Sequence, residues 1–463
     1  MRLSELLREV EFEGSIKNDF DIKLVTDDSR LVRSGALFVC IRHRSFDGHT
    51  AAAEALASGA AAVVTQERLG LENELNVADS RAAYARLCAA LCGHPERKLR
   101  MIGVTGTNGK TTVTTLIRNI LSDSGIKTLL TGTVCNRLGE ESLPSGLTTP
   151  KPPEFYSLLS RAVLSGCEAC VAEASSQALA QGRLEGIAFD AAVFTNITRD
   201  HLDYHGTFEN YLAAKKKLFE HSEVSTVNLD DPRADEIIAA SSGKTVTFST
   251  VLDCADYTAK NISLLPEGVS FELVSKGRIE HINFASPGLF SVSNAMAAAV
   301  CAINLGVDPR SAAQSLARSK GVCGRLERVE CGTPYSVIID YAHTPDGLEQ
   351  VLRALRPSCR GKLIVLFGCG GDRDKTKRPL MGAAACKYAD TVIVTSDNPR
   401  SEEPMKIIGD ILKGTDKKCR GLFIEEDRRR ATALALSLAK PGDTVLLAGK
   451  GHEKLSLIHI SEP

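Results

Sequence analysis

The sequence predicts an α/β chain of several domains, one of which contains a mostly parallel, doubly wound sheet. Three observations support this fold class. At 463 residues the chain is too long for a single hydrophobic core. A glycine-rich turn at 106–111 joins a short apolar run to a helical pattern. From residue 324 onward, apolar runs alternate with helical patterns, which is typical of a parallel sheet with helical crossovers.

The first segment, residues 1–98, contains apolar runs at 37–41 and 60–64 with a small-residue helix at 50–58 between them. This pattern predicts a small α/β unit. Two polar stretches, 26–30 and 44–49, are interpreted on their own as turns rather than as sites. Residues 93–98 resemble a linker.

The turn at 106–111 is the strongest functional signal. Glycines allow backbone N–H groups to close on phosphate oxygens, and the helix N-terminus adds partial positive charge. A lysine would neutralise the outer phosphates, and the next hydroxyl would bind Mg²⁺. Val104 stands where the general phosphate-loop pattern has its first glycine, so an ordinary glycine-rich turn is the alternative. We expect ATP to contact Gly106, Thr107, Asn108, Gly109, Lys110, Thr111 and Thr112.

Two further strands are predicted in the second segment, residues 99–323. Glu173 follows the run at 170–172, and a polar stretch containing His201 follows the run at 190–195. Ligands bind at the carboxyl ends of parallel strands, so both side chains would lie near Lys110. A carboxylate there suits Mg²⁺ and a neutral imidazole suits a second cation, although each residue alone is more often structural.

Three other features of this segment have structural interpretations. The helix at 213–219 has a run of three lysines, which predicts a solvated face. Residues 223–285 are predicted to form irregular strands with polar turns. Asn294 is predicted to open an apolar helix as its cap.

The third segment, residues 324–463, has strand candidates at 336–339, 362–367, 391–395, 422–424 and 444–448. Loops rich in polar and charged residues follow four of these strands, at 340–345, 368–375, 396–400 and 449–453, where the fold rule places ligands. The glycines at 368–371 lack the dinucleotide-binding spacing, so a nicotinamide cofactor is not expected.

Composition narrows the class of protein. A net charge of −1 gives no overall attraction to nucleic acid or anionic membrane. No window approaches the roughly 18 apolar residues of a spanning helix, and the charged N-terminus does not match a signal peptide. Fourteen cysteines then indicate reduced thiols in a cytoplasmic protein. Cys167 and Cys170 have redox or zinc spacing, but a buried apolar role is favoured because no second pair follows.

Seven ordered motifs resemble those of the Mur ligase family of bacterial peptidoglycan synthesis over nearly the whole chain. They stand at 105–112, 173–177, 195–206, 324–327, 340–343, 368–375 and 397–400. The resemblance implies a uridine-nucleotide-binding domain (1–98), a central phosphate-loop ATPase-type domain (99–323) and a C-terminal Rossmann-like domain that binds an amino acid (324–463). It ends after Glu453.

The resemblance also implies a reaction and its cofactors. The expected activity is ATP-dependent addition of meso-diaminopimelate to UDP-N-acetylmuramoyl-L-alanyl-D-glutamate through an acyl phosphate, with Mg²⁺. The expected protein is a cytoplasmic monomer that binds neither nucleic acid nor membrane. L-lysine as the amine, a folylpolyglutamate synthetase-like ligase and a non-catalytic nucleotide-binding regulator are the alternatives.

Residue roles implied by the resemblance fall into four groups. The catalytic and metal-binding residues would be Lys110, Thr111, Glu173, His201 and Lys215, the last as a carbamate that reverses the solvated-face interpretation. Further ATP contacts would be Asn294, Arg325 and Asp340. The UDP-muramoyl-dipeptide would contact Thr26, Ser29, Arg44, Ser45, Phe46, Thr148, Thr149, Ser175, Gln181 and Arg183. Diaminopimelate would contact Arg373, Asp397, Asn398, Pro399, Arg400, Gly449 and Glu453.

Overall fold

Three β-sheets, one in each of the three predicted segments, form the framework of the protein. The structure is a computed structural model that describes residues 1–43, 46–265, 267–415, 419 and 421–451. The predicted α/β fold with three domains is confirmed. None of the described helices is both long enough and apolar enough to cross a membrane.

The N-terminal sheet has four parallel strands in the order β1-β2-β3-β4. Their bounds are β1 (Leu24–Thr26), β2 (Ala36–Val39), β3 (Ala60–Thr65) and β4 (Glu74–Asn76). Helices α1 (Leu3–Leu6), α2 (Ala52–Ala57) and α3 (Ser80–Leu91) accompany the sheet. The helix predicted at 50–58 is observed as the shorter α2, because a 3₁₀ turn at Gly48–Ala51 takes the place of its first residues. Lys151 Nζ, 3.0 Å from the Asp27 carboxylate, ties this sheet to the central domain.

The central sheet has eleven strands in the order β15-β14-β13-β12-β11-β10-β5-β9-β6-β7-β8. The bounds are β5 (Arg100–Thr105), β6 (Thr128–Thr131), β7 (Asn136–Leu138), β8 (Glu141–Leu143), β9 (Ala169–Glu173), β10 (Phe189–Phe194), β11 (Ser222–Asn228), β12 (Lys244–Ser249), β13 (Tyr257–Leu265), β14 (Gly268–Ser275) and β15 (Arg278–Phe284). The strands from β13 to β6 are parallel, and antiparallel hairpins extend both edges. β5 therefore lies inside the sheet, where strands buried on both faces are apolar.

The helices of the central domain pack on this sheet. They are α4 (Lys110–Asp123), α5 (Pro152–Leu164), α6 (Ser176–Ala180), α7 (Leu202–His205), α8 (Phe208–Lys216), α9 (Ala234–Ala240), α10 (Leu289–Asn304) and α11 (Pro309–Arg318). Helix α4 buries Leu116, Ile117, Ile120 and Leu121, the apolar face that the sequence predicts. Its end before Gly125 (φ +85°) also agrees with the prediction.

The C-terminal sheet has six strands in the order β16-β17-β21-β18-β19-β20. The bounds are β16 (Glu327–Val329), β17 (Ser336–Asp340), β18 (Leu363–Phe367), β19 (Thr391–Val394), β20 (Leu422–Ile424) and β21 (Thr444–Ala448), with helices α12 (Pro345–Leu355), α13 (Lys377–Tyr388), α14 (Pro404–Leu412) and α15 (Arg428–Leu438). All pairs are parallel except β16 with β17. The five strands predicted in this segment are confirmed to within a residue or two.

Two local predictions in the central domain are wrong. Asn294 does not cap a helix, because α10 begins at Leu289 after Gly288 and places Asn294 in its second turn. The apolar residues before Asn294 continue the helical pattern towards the N-terminus, so the helix begins earlier. Residues 223–285 are not irregular either, since β13, β14 and β15 form a long antiparallel meander.

Candidate active site

The carboxyl ends of the central strands and the loops of the C-terminal sheet enclose a cavity of about 830 Å³. Most of the predicted site residues line it, although they come from distant parts of the sequence. They are Gly106, Thr107, Asn108, Gly109, Lys110, Thr111, Thr148, Thr149, Glu173, Ser175, Arg183, His201, Lys215, Arg325, Arg373, Asp397, Asn398, Arg400 and Gly449.

The glycine-rich loop lies between β5 and α4 and leaves no room for side chains at its glycines. A Cβ at Gly106 would be 1.8 Å from Thr195 Oγ1, and one at Gly109 (φ +87°) would be 2.4 Å from Asn294 Oδ1. Lys110 begins α4, and its Nζ donates to the carbonyl oxygens of Gly106 at 2.7 Å and Thr107 at 3.0 Å. Burial lowers the pKa of Lys110, while the carboxylates of Glu173 and Asp200 oppose that shift. The loop and helix terminus form a compact, positively polarised cradle.

Residues after β10 hold this loop in place. Thr195 Oγ1 donates to the Asn108 carbonyl at 2.6 Å, and Asn196 Oδ1 accepts from the Asn108 N–H at 3.0 Å. The hydroxyl of Tyr211 on α8 forms a hydrogen bond with Thr107 Oγ1 at 2.9 Å. Sequence reasoning did not assign these supporting roles, although the 195–206 motif contained part of the signal.

Glu173 ends β9 and is 1 % exposed. Its two carboxylate oxygens accept from the N–H and the hydroxyl of Thr133, each at 2.9 Å. Across the cavity, Arg325 of the C-terminal domain donates to Thr111 Oγ1 at 3.0 Å. A carboxylate and a hydroxyl are hard oxygen donors that fit Mg²⁺, which proteins bind through few side chains together with phosphates and water. The described residues contain no cluster of three or more His, Cys, Asp or Glu that could hold a metal alone.

His201 lies in the left-handed region (φ +54°) just before α7. Its Nε2 is 3.4 Å from Asp200 Oδ2. Burial lowers the pKa of His201 to about 4, although Asp200 opposes the shift. The imidazole is therefore neutral near pH 7 and retains a lone pair that can bind a cation.

Lys215 on α8 corrects the solvated-face interpretation of the lysine run. Its side chain is 1 % exposed, whereas Lys217 is exposed. Its Nζ lies 4.6 Å from the centre of the Tyr211 ring, and no carboxylate in the described part of the chain forms an ion pair with it. Burial lowers the pKa of Lys215 well below its ordinary value, with Lys110 adding to the effect. A lowered pKa favours the neutral amine, which is the nucleophilic form that reacts with carbon dioxide.

The loops after β18 and β19 bring two arginines to the wall of this cavity, Arg373 and Arg400. Arg400 has a left-handed backbone (φ +52°) and donates to the carbonyl of Gly371. Asp397 and Asn398 also line the cavity. Predicted Glu453 lies outside the described residues, and Pro399 is not among those that line the cavity.

The residues predicted to contact a muramoyl-peptide lie close together beside Glu173. Thr149 Oγ1 donates to the Glu173 carbonyl at 2.6 Å and bonds Ser175 Oγ at 3.0 Å. Arg183 donates to the Thr149 carbonyl at 2.6 Å, and Gln181, outside the lining, accepts from Arg183. The remaining predicted contacts are in the N-terminal domain, where Thr26 is buried, Ser29 begins a 3₁₀ turn and Phe46 is exposed, while Arg44 and Ser45 lie outside the described residues.

A second cavity of about 390 Å³ also adjoins the phosphate loop. Thr112, Asn294, Arg325 and Asp340 are among its lining residues. The carboxylate of Asp340 accepts from the N–H groups of Leu326 at 2.8 Å and Ala342 at 2.7 Å, and burial raises its pKa. The central and C-terminal domains both contribute to this cavity.

The site as a whole combines a phosphate-binding loop, buried lysine side chains and a second domain that contributes two arginines. These features define a multidomain nucleotide-dependent enzyme whose central and C-terminal domains share one active site.

Comparison with known proteins identifies the family. Three family models match: "Mur ligase family, catalytic domain" at 21–90, "Mur ligase middle domain" at 104–302 and "Mur ligase, glutamate ligase domain" at 324–451. Relatives from Syntrophomonas wolfei and Clostridium tetani, both named UDP-N-acetylmuramoyl-L-alanyl-D-glutamate–2,6-diaminopimelate ligase, are 43% and 41% identical. Each alignment covers 99% of this chain and 96% of the relative. The chain belongs to the Mur ligase family, as its motifs predict.

Solved structures agree with this assignment. A structure of a UDP-N-acetylmuramoyl-L-alanyl-D-glutamate–2,6-diaminopimelate ligase is 35% identical, with a TM-score of 0.71 over 98% of this chain and 94% of that one. A MurF ligase from Thermotoga maritima in complex with ADP is 21% identical, with a TM-score of 0.66 over 96% of this chain and 98% of that one, and shows the shared fold alone.

Proposed function

We propose that this protein is an ATP-dependent ligase that joins meso-diaminopimelate to UDP-N-acetylmuramoyl-L-alanyl-D-glutamate in peptidoglycan precursor synthesis. The names of relatives above 40% identity support this substrate pair. The observation that carries the proposal is one cavity that runs from the phosphate loop to Arg373 and Arg400. Such a cavity allows an activated acid and an amine to meet beside the phosphates.

The two cavities suggest how ATP binds. Its phosphates would lie on the loop at the start of α4, where Lys110 and backbone N–H groups neutralise charge. Its adenosine part would occupy the 390 Å³ cavity, with Asn294 and Asp340 as polar partners. Arg325 lines both cavities and so lies where the two halves of the nucleotide would join.

The reaction begins with activation of a poor electrophile. A carboxylate oxygen of the D-glutamate side chain attacks the γ-phosphorus of ATP, the bond to the β-phosphate oxygen breaks, and ADP leaves with the electron pair. The amine then attacks the carbonyl carbon of the acyl phosphate, forming the C–N bond as phosphate leaves and the nitrogen loses a proton. Two anions must meet in the first step. Cationic groups such as Lys110 therefore lower the barrier most, because they stabilise the charge as it moves.

Mg²⁺ would be held by Thr111 and Glu173, with His201 and the carbamate of Lys215 at a second position. When bound, the ions screen the phosphate charge and act as Lewis acids. The hydroxyl of Thr111, the carboxylate of Glu173 and the neutral imidazole of His201 fit this use as they stand. Lys215 fits after carbamylation, because its buried amine gains an anionic oxygen donor.

Recognition of diaminopimelate is assigned to the C-terminal domain. Diaminopimelate has a second ammonium and carboxylate at its far end, and lysine lacks that carboxylate. A guanidinium fork can bind a carboxylate with two hydrogen bonds. Arg400 is the proposed fork, with Arg373, Asp397, Asn398 and Gly449 beside it and Glu453 assigned to the far ammonium. L-lysine remains the alternative amine.

The other end of the acceptor is assigned to the N-terminal domain. The uridine nucleotide would bind near Thr26, Ser29 and Phe46, and the muramoyl-dipeptide would extend past Thr148, Thr149 and Ser175 to the phosphate loop. This arrangement corresponds to domains at 1–98, 99–323 and 324–463. A cytoplasmic, monomeric enzyme remains the expectation.

Phosphate release in the presence of ATP, Mg²⁺ and UDP-N-acetylmuramoyl-L-alanyl-D-glutamate tests the proposal. Release that depends on diaminopimelate and is absent with L-lysine or L-ornithine would support it. Release with lysine instead would support the alternative amine. A failure to release phosphate with any of the three amines would reject ligase activity on this acceptor.

A further inference from the structure

One lysine of the active-site cavity has no role in the reaction described above. Lys377 is the first residue of α13 in the C-terminal domain, and its side chain is 9% exposed. It lines the 830 Å³ cavity. In the described part of the chain its single charged partner is Asp200, with Nζ 3.8 Å from Oδ1, which is too long for a hydrogen bond.

Such an ammonium group is costly to bury. A cation removed from water needs hydrogen bonds as well as a counter-ion, and Lys377 forms no hydrogen bond within the described residues. Its neighbour Lys375 differs, since it is 65% exposed and pairs with Glu402 at 3.2 Å. A buried ammonium without hydrogen-bond acceptors in a cavity wall indicates that an anionic group of the substrates accepts its hydrogen bonds.

The surroundings of Lys377 place it at the phosphate end of the cavity. Its partner Asp200 belongs to the central domain and also lies 3.8 Å from Nε2 of His343. His343 lines both cavities, as Asn108 and Gly109 of the phosphate loop do. Asp200 is moreover close enough to Lys110 to act on that ammonium electrostatically. Lys377 and Lys110 therefore approach one carboxylate from two different domains.

We propose that Lys377 is a catalytic residue that binds the phosphoryl group during its transfer from ATP to the acceptor carboxylate. Its ammonium leaves Asp200 and hydrogen-bonds the phosphoryl oxygens of the transition state and of the acyl phosphate. No proton is exchanged in this step. Asp200 holds the lysine towards the cavity until the phosphates arrive. This role rests on the proposed function, because it needs an acyl phosphate at that position.

The test separates formation of the acyl phosphate from its use. Lys377→Met, Lys377→Arg and the control Lys375→Met are mixed with ATP, Mg²⁺ and UDP-N-acetylmuramoyl-L-alanyl-D-glutamate without amine, and the ADP formed in a single turnover is timed. We expect Lys377→Met to slow this step by about 100-fold or more, the usual effect of removing one group that stabilises developing charge. Lys377→Arg should recover at least a tenth of the wild-type rate. Lys375→Met should match wild type, and KM for diaminopimelate should change less than threefold in all variants.

Three results would overturn the assignment. ADP formation at the wild-type rate in Lys377→Met with a raised KM for diaminopimelate would make Lys377 a ligand of the amino acid. A second such result is an equal loss of rate in Lys377→Met and Lys377→Arg while both keep normal melting curves. That result would show that positive charge at this position does not account for the rate, and it would reject the proposed phosphoryl contact. If Lys377→Met does not fold, Lys377→Arg decides, and a rate below a hundredth of wild type rejects the proposal. Wild-type enzyme that forms no ADP would instead reject the proposed function.

Discussion

Replacement of Arg400 by alanine should remove the preference for diaminopimelate while leaving the fold intact. The guanidinium lines the cavity and donates to the Gly371 carbonyl, so the neighbouring loop after β18 holds its position. Alanine tolerates the left-handed backbone at φ +52° about as well as arginine does, so little backbone strain is added. Hydrogen bonds to charged groups contribute about 1.5–3 kcal/mol, and loss of the fork should therefore raise KM for diaminopimelate by about 10- to 150-fold.

Steady-state phosphate release with varied diaminopimelate measures this effect. KM for ATP should stay within about twofold of wild type because the proposed binding mode assigns Arg400 to diaminopimelate and not to ATP. Arg429→Ala is the matched control, since Arg429 is an exposed arginine of the same domain outside the cavity lining. Arg400→Lys should recover little, because an ammonium cannot form two parallel hydrogen bonds to a carboxylate. An unchanged KM for diaminopimelate in Arg400→Ala would refute the assignment.

Four further outcomes are expected. Lys110→Ala should keep its circular dichroism spectrum but lose more than about 100-fold in phosphate release, and near-normal turnover would refute its role. Gly109→Ala places a Cβ 2.4 Å from Asn294 Oδ1, so a nucleotide titration should show weakened ATP binding. Removal of dissolved carbon dioxide should lower activity, and bicarbonate should restore it in wild type but not in Lys215→Met. Burial lowers the pKa of His343 to about 4, so the unfolded chain binds more protons than the folded one between pH 6.5 and 4. The melting temperature should therefore fall as the pH is lowered from 6.5 to 4, and it should fall less steeply in His343→Gln.

Local sequence patterns predicted the parts of the fold that depend on neighbouring residues. The strands at 336–340 and 444–448 and the start of α4 at Lys110 combine short apolar runs with polar or glycine-rich ends. These signals lie within a few residues of each other. The loops of the candidate site were predicted in the same way, because six of the seven motifs stand at the carboxyl end of a strand and parallel strands bring those ends together. The roles of most individual site residues were implied by the family resemblance instead.

Contacts between distant residues could not be predicted from local patterns. Thr133 holds both oxygens of Glu173 from 40 positions away, and nothing in its own neighbourhood distinguishes it. Burial of Lys215 depends on the packing of α8, so the lysine run alone predicts a solvated face, and the family resemblance is the signal that implies another role for this residue. Lys377 stands two residues beyond the motif at 368–375, and its burial appears only in the folded domain.

The central claim is that the phosphates of ATP bind on the loop at the start of α4 while the C-terminal domain completes the site. A crystal structure with a non-hydrolysable ATP analogue, Mg²⁺ and UDP-N-acetylmuramoyl-L-alanyl-D-glutamate tests it most directly. We predict the γ-phosphate within hydrogen-bonding distance of Lys110 Nζ, the adenosine beside Asn294 and the glutamate carboxylate next to the γ-phosphate. A triphosphate bound away from Lys110, or an acceptor carboxylate that does not reach it, would contradict the account.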